Sequence, residues 1–233
     1  MEPDILKLGP LKIRNRLVIR MFSALDDRLG IKEILDDEIF EKLAPSYLNI
    51  WSCFGGISFF LFICQVVTGM LLMVYYQPTI TGAHASVASI MNEVPFGWMI
   101  RGIHAWGSNL IIITIIIHMT KIYVSGIYKA PRELNWVVGV TLLLLMLGLA
   151  FTGYLLPWTQ LAYWATVVGT ETPSAIPYVG ESLRFLMRGG DDIGQVTLTR
   201  FFAVHVIVMP ITTGLLILAH LLQIRRQGIA GPL

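Results

Sequence analysis

Four long stretches of this 233-residue chain contain no Lys, Arg, Asp or Glu: residues 43–92, 102–120, 134–170 and 201–224. A helix that crosses a bilayer needs about 20 mostly apolar residues. Inside hydrocarbon its backbone groups must find their partners within the helix. Each stretch meets that length, and the expected spans are about 48–76, 102–121, 134–156 and 201–224. Pro78, Pro131 and Pro157 stand just outside the first three, where helix breakers belong. Only 14% of the residues are charged, against about 25% in a soluble domain, so the chain lacks the polar surface to face water all round. Disorder, a nucleic-acid surface and a disulfide-stapled secreted domain are excluded on the same ground. Cys53 and Cys64 sit in one apolar run, roughly 16 Å apart on a helix, too far for a disulfide. The expected architecture is all-α: an integral membrane four-helix bundle over 48–233, preceded by an N-terminal segment over 1–47.

Basic residues set the orientation. Lys7, Lys12, Arg14, Arg16 and Arg20 precede the first span; Lys121, Lys129 and Arg132 lie between the second and third; Arg225 and Arg226 follow the fourth. The loop 77–100 has no Lys or Arg, and the loop 157–200 mixes Arg184 and Arg188 with Glu171, Glu181, Asp191 and Asp192. The positive-inside rule therefore places both termini on the cytoplasmic, or n, side. Residues 20–43 alternate charge with Met21, Phe22, Leu25, Leu29, Ile31, Ile34, Leu35, Ile39 and Phe40. They read as one or two amphipathic helices on the n-side interface, or as a small solvated cap. Loop 157–200 is expected to hold short helices on the opposite, p side.

Four of the five histidines fall within spans. His104 and His118 are 14 residues apart on the second, His205 and His220 are 15 apart on the fourth. Fourteen residues make about four turns with a residual rotation near 40° and a rise of about 21 Å, while fifteen leave about 60°. The two spans run in the same direction, so His104 is level with His205 and His118 with His220. A lone intramembrane histidine is commonly a packing or proton-path residue. Two matched levels point instead to two flat iron macrocycles, each gripped by two imidazoles, stacked across the bilayer. Zinc fits poorly, because a structural site needs four converging ligands and no carboxylate lies in any span. His84 has no partner level and reads as a surface residue.

Glycines add a second periodicity. Gly55 and Gly69 on the first span are 14 apart, as are Gly139 and Gly153 on the third. They read as walls that let a flat ring approach the backbone, although small residues also serve plain helix packing. Arg101 near His104, and Lys121, Arg132, Arg225 and Arg226 near His118 and His220, are candidate partners for haem propionates. For the n-side group, positive-inside topology explains the charges equally well.

At this point the chain resembles the cytochrome b family of quinol-oxidising bc and b6f complexes over about residues 20–233. The motifs are RGIHAWG (101–107), KAPRELNWVVGV (129–140), LAFTGYLLPW (149–158), SAIPYVG (174–180), TLTRFFAVH (197–205) and IRRQGIAGPL (224–233). The 15-residue histidine spacing, the Gly-Pro-Leu ending and Cys53 in WSCFGG resemble the split, b6-type branch. The resemblance implies two non-covalent bis-histidine haem b groups and a further haem held by one thioether at Cys53. Without it, Cys53 reads as a small apolar filler. It also implies quinol oxidation on the p side, one electron leaving to a Rieske iron–sulfur protein and the other crossing both haems to n-side quinone. The chain lacks the Pro-Glu-Trp-Tyr motif of the p-side pocket. A subunit IV-like companion is therefore expected to supply it, alongside a cytochrome c-type subunit and homodimerisation of the complex. No catalytic residue is expected within this chain alone. Ala105 and Thr159 depart from the photosynthetic pattern, and His-Ala-Trp-Gly (104–107) with the long acidic–basic N-terminus resembles non-photosynthetic bacterial members, which favours menaquinol over plastoquinol and a bacterial cytoplasmic membrane. A di-haem anchor of another dehydrogenase and a histidine-using transporter are the alternatives.

Overall fold

The structure, a computed structural model, describes residues 6–8, 11–29, 32 and 50–228. The chain divides into two compact units, Met1–Leu48 and Asn49–Leu233. In the first, strand β1 (Leu6–Leu8) pairs antiparallel with β2 (Leu11–Ile13), Leu6 opposite Ile13. Helix α1 (Arg16–Leu29) follows. Asn15 caps it, its Oδ1 accepting from the backbone N–H of Leu17 at 3.0 Å and of Val18 at 3.4 Å. The amphipathic helix expected over 20–43 thus begins earlier, and residues 33–43 lie outside the described residues. Leu17 and Met21 are exposed while Ile19 is buried.

The second unit contains α2 (Phe54–Met73), α3 (Ala83–Asn92), α4 (Gly97–Val124), α5 (Glu133–Leu155), α6 (Gln160–Glu171), α7 (Gly180–Arg188), α8 (Gln195–Ala203) and α9 (Met209–Gln227). A π turn over Val204–Val208 joins α8 to α9, making one helical rod from Gln195 to Gln227. This rod, α2, α4 and α5 are long and apolar enough to cross a membrane. Only 6–17% of their most apolar windows is buried inside the protein, so most of that apolar surface is left for contacts outside the chain.

The four spans pack as two pairs. Helix α2 lies along α4, and α5 lies along α9, whereas α4 and α9 scarcely touch. One end of the unit is rich in loops and short helices. There Ala83, Leu155, Leu198 and Phe201 form a buried cluster with Tyr76, Phe151, Leu156, Trp158 and Met187 around it. The Tyr76 hydroxyl donates to the Leu156 carbonyl at 2.6 Å, tying the ends of α2 and α5 together. Helix α3, unexpected from sequence, runs into the start of α4 through Phe96, whose φ of 59° is left-handed. The chain closes so tightly there that a Cβ on Gly97 would fall on the Ile90 carbonyl.

A buried arginine organises the same end. Arg188, 6% exposed, donates to Thr170 Oγ1 at 2.8 Å, the Val167 carbonyl at 3.1 Å, the Asp191 carbonyl at 3.2 Å and Glu171 Oε2 at 2.7 Å. Its own carbonyl accepts from Thr197 Oγ1 at 2.7 Å, so one residue joins α6, α7 and α8. Thr159 caps α6 by accepting from the Ala162 N–H at 3.2 Å. The opposite, basic end carries stacked Tyr123 and Tyr128, with Trp136 against them. Such rings favour the membrane–water boundary.

Candidate functional site

Each spanning pair of helices brings glycines against histidines one to one. A Cβ built on Gly55 would stand 2.9 Å from Cε1 of His118, and one on Gly69 would stand 3.3 Å from Cε1 of His104. In the other pair, Gly153 faces His205 Cε1 at 2.7 Å and Gly139 faces His220 Cε1 at 3.6 Å. From sequence, these four glycines are expected to border a flat macrocycle. In the structure the missing side chains make room for the imidazoles themselves, so the glycines position the rings from behind.

The glycines are 14 apart on α2 and on α5, yet the histidines of the rod are 15 apart. The π turn reconciles the two spacings. Its Met209 N–H bonds back to the Val204 carbonyl, five residues away, which accommodates one extra residue within the helix. Pro210 follows immediately and has no N–H to give the preceding turn. With one residue absorbed, fifteen positions behave as fourteen, and the residual rotation falls from about 60° to about 40°. His205 and His220 therefore meet Gly153 and Gly139 in register.

Across the gap between the pairs, the rings of His104 and His205 face one another with centroids 6.5 Å apart and planes at 78°. Two metal–nitrogen bonds of about 2 Å, plus a ring radius of about 1 Å on each side, come to roughly 6 Å. The opening thus suits one metal ion held between two imidazoles. His118 and His220 likewise lie within electrostatic reach of one another. Among the described residues no group of three or more His, Cys, Asp or Glu converges as an all-protein metal site. Paired imidazoles across two scarcely touching helices, backed by glycine, fit a planar iron macrocycle that supplies its own equatorial ligands.

The outer ring nitrogens are held differently at the two levels. Nδ1 of His104 is 2.9 Å from Thr68 Oγ1, and Nδ1 of His205 is 3.0 Å from Thr152 Oγ1. Nδ1 of His118 and of His220 is buried without a hydrogen-bond partner of good geometry among the described residues. Sequence reasoning missed both threonines. The available signal was the Thr-Gly dipeptide, present at Thr68-Gly69 and Thr152-Gly153 but replaced by Phe54-Gly55 and Val138-Gly139 at the other level.

The expected cations fall at the two ends. Arg101 sits one turn before His104 on α4, with Nη1 3.6 Å from Met91 Sδ. Lys121 is one turn beyond His118. Arg132 has a structural task of its own, since its Nη2 donates to the carbonyls of Gln227 at 3.2 Å and Gly228 at 3.4 Å, capping the end of α9. Arg225 lies in the last turn of α9. Cys53 precedes α2 at the basic end, two residues before the glycine that faces His118, and is an exposed residue. Cys53 and Cys64 are both free of disulfide. His84 is exposed on α3.

A family described as cytochrome b/b6/petB matches residues 39–228. The chain is 47% identical over 214 residues to cytochrome b6 of Mesostigma viride, covering 92% of this chain and 99% of that protein. Against cytochrome b6 of Synechocystis sp. (strain ATCC 27184 / PCC 6803 / Kazusa) it is 46% identical, covering 92% and 96%. A solved chain from a hyperthermophilic respiratory complex III superposes with a TM-score of 0.83 at 37% identity over 90% of this chain. This chain spans 56% of that one, about half its length, whereas it spans nearly the whole of the b6 relatives. Four membrane-crossing helices, two opposed histidine levels and these likenesses together show that the chain belongs to the cytochrome b/b6 family, as the split, b6-type transmembrane electron-transfer subunit of a bc/b6f-type quinol-oxidising complex.

Proposed function

We propose that the chain holds two haem b groups, one between His104 and His205 and the other between His118 and His220, with a third haem joined through a thioether to Cys53. When bound, these groups pass single electrons along the bilayer normal. The observation that carries the reading is the opposed pair of His104 and His205 rings, 6.5 Å between centroids, presented by helices that scarcely touch.

The chain's own residues then have distinct tasks. The four histidines would supply the ring nitrogens that hold the iron, and Gly55, Gly69, Gly139 and Gly153 set how far each ring stands from the neighbouring helix. Rise along α4 puts the two levels about 21 Å apart, so most of the hydrocarbon thickness lies between them. Apolar helix faces keep ions and water from that interval. Arg101, Lys121, Arg132 and Arg225 offer positive charge to propionates at the two ends, Arg132 while also capping α9. Arg188 and its partners shape the loop-rich end, the p side in this reading, where quinol gives up its electrons and protons. Quinone is reduced at the basic, n-side end, where both termini lie.

The missing part of the quinol-oxidising pocket comes from a subunit IV-like companion bearing Pro-Glu-Trp-Tyr. The support is that the complex III chain is nearly twice as long as its matched part. A Rieske iron–sulfur protein and a cytochrome c-type subunit take the high-potential electron, and the complex is a homodimer in a bacterial cytoplasmic membrane using menaquinol. The test is a reduced-minus-oxidised spectrum of the purified complex. Two b-type centres are expected, with His104→Leu or His205→Leu removing one and His118→Leu or His220→Leu the other. Retention of both centres in any of these variants refutes the assignment.

A further inference from the structure

Thr68 and Thr152 have already committed their own hydrogens. Thr68 Oγ1 donates to the Cys64 carbonyl at 2.6 Å, and Thr152 Oγ1 donates to the Gly148 carbonyl at 2.9 Å. A hydroxyl that has spent its one proton can only accept from a third group. The ring nitrogen beside each must then be the donor, so His104 and His205 both carry hydrogen on Nδ1 and keep the Nε2 lone pair free. Both threonines are buried, at 7% and 8% exposure, where hydrogen bonds weaken little through competition with water. The His118 and His220 level has no threonine in the equivalent position.

We propose that Thr68 and Thr152 are positioning residues for electron transfer. They fix the metal-binding tautomer and the rotation of the His104 and His205 rings. By drawing on the Nδ1 hydrogen, they also make these two imidazoles stronger donors to iron, holding that centre toward its oxidised form. An acceptor on the outer N–H raises the basicity of a ligating histidine, and a more basic ligand favours the more highly charged metal. The proposal rests on the reading of the four histidines as haem ligands. It also gives the Thr-Gly pairs a shared purpose: glycine admits the ring, and threonine takes its hydrogen.

The test is a redox titration of the whole purified complex, with the two b-type centres resolved by absorption and electron paramagnetic resonance. Thr68→Val keeps the side-chain shape and removes the acceptor. The expected result is a shift of about tenfold toward the reduced form at the His104/His205 centre, about 59 mV for one electron, with the other centre as an unmoved internal reference. Thr152→Val shifts the same centre in the same direction through the other helix, and Thr68→Ser, which keeps the acceptor, titrates as the unaltered protein. Unchanged titration in both valine variants overturns the proposal, as does a serine variant displaced as far as the valine one. Should a valine variant lose that haem, full loading of the serine variant supports the positioning role and equal loss in serine overturns it. Fewer than two b-type centres in the unaltered complex would instead refute the underlying haem reading.

Discussion

A methyl group added at Gly153 would stand 2.7 Å from Cε1 of His205, about 0.8 Å inside the roughly 3.5 Å at which carbon atoms pack comfortably. At Gly55 the shortfall against His118 is about 0.6 Å, at Gly69 about 0.2 Å, and at Gly139 there is none, from the distances of 2.9, 3.3 and 3.6 Å and the same contact distance. Overpacking of this kind costs about 1–3 kcal/mol, and each 1.4 kcal/mol is about tenfold in an equilibrium. Here the atom forced to move belongs to an imidazole that has to meet a metal at about 2 Å. Alanine substitution should therefore weaken haem retention in the order Gly153, Gly55, Gly69, Gly139, from about a hundredfold at the first to little effect at the last. Gly153→Ala and Gly69→Ala should affect only the His104/His205 centre, and the other two only its counterpart. Gly56, with nothing within 4 Å of its added Cβ, is the control, and its alanine variant should gain up to about 1 kcal/mol of helix stability. Haem per complex, measured by difference spectra during detergent titration, reads the series. Equal loss at Gly139 and Gly153, or full retention at Gly153, would refute the argument that these glycines exist for the imidazoles.

Acid–acetone extraction should leave one haem on the polypeptide, and Cys53→Ala should release it while sparing both b-type centres. Arg188→Met should destabilise the loop-rich end by about 3 kcal/mol, whereas Glu171→Gln, whose carboxylate is half exposed, should cost about 1 kcal/mol or less; limited proteolysis between residues 172 and 194 separates them. Thr213, fully buried with no partner for Oγ1 among the described residues, should yield about 1 kcal/mol of thermal stability when replaced by Val. Deleting Ile207 together with Pro210→Ala should turn the π turn into regular helix and keep both b-type centres. Deleting Leu216 should rotate His220 by about 100° and abolish one centre; identical spectra from the two deletions would refute the role given to the π turn.

The spans were legible because charge is expensive in hydrocarbon, and four charge-free runs leave little freedom in where helices cross. Their ends were less so. Helix α4 starts at Gly97 and continues past Lys121, because helices persist into the interfacial zone where Arg101 and Lys121 are tolerated. Helix α3 is not marked in the sequence, since two of its three buried positions, Ala83 and Ser86, are small and only Ile90 is a large apolar residue. The strand pair is written in the alternation of Leu6-Lys7-Leu8 and Leu11-Lys12-Ile13 about Gly9-Pro10, a signal that three-residue strands make too short to stand out from the basic charges around it. The histidine levels were readable from spacing alone. The reason that 15 works as well as 14 was not, although Pro210 marked the place. Arg188 looked like one of several loop charges, since burial of a charge is decided by partners such as Glu171 and Thr170 that local sequence does not reveal.

Each helix pair delivers one imidazole to each level and completes neither alone. Since α4 and α9 make so little contact of their own, the two pairs meet directly mainly where Tyr76 and Ala83 pack against Leu155, Leu156, Leu198 and Phe201, and a group held between the histidines would add a further tie at each level. Haem binding and closure of the two pairs on one another should then favour each other, each adding to the hold that the loop-rich end already provides.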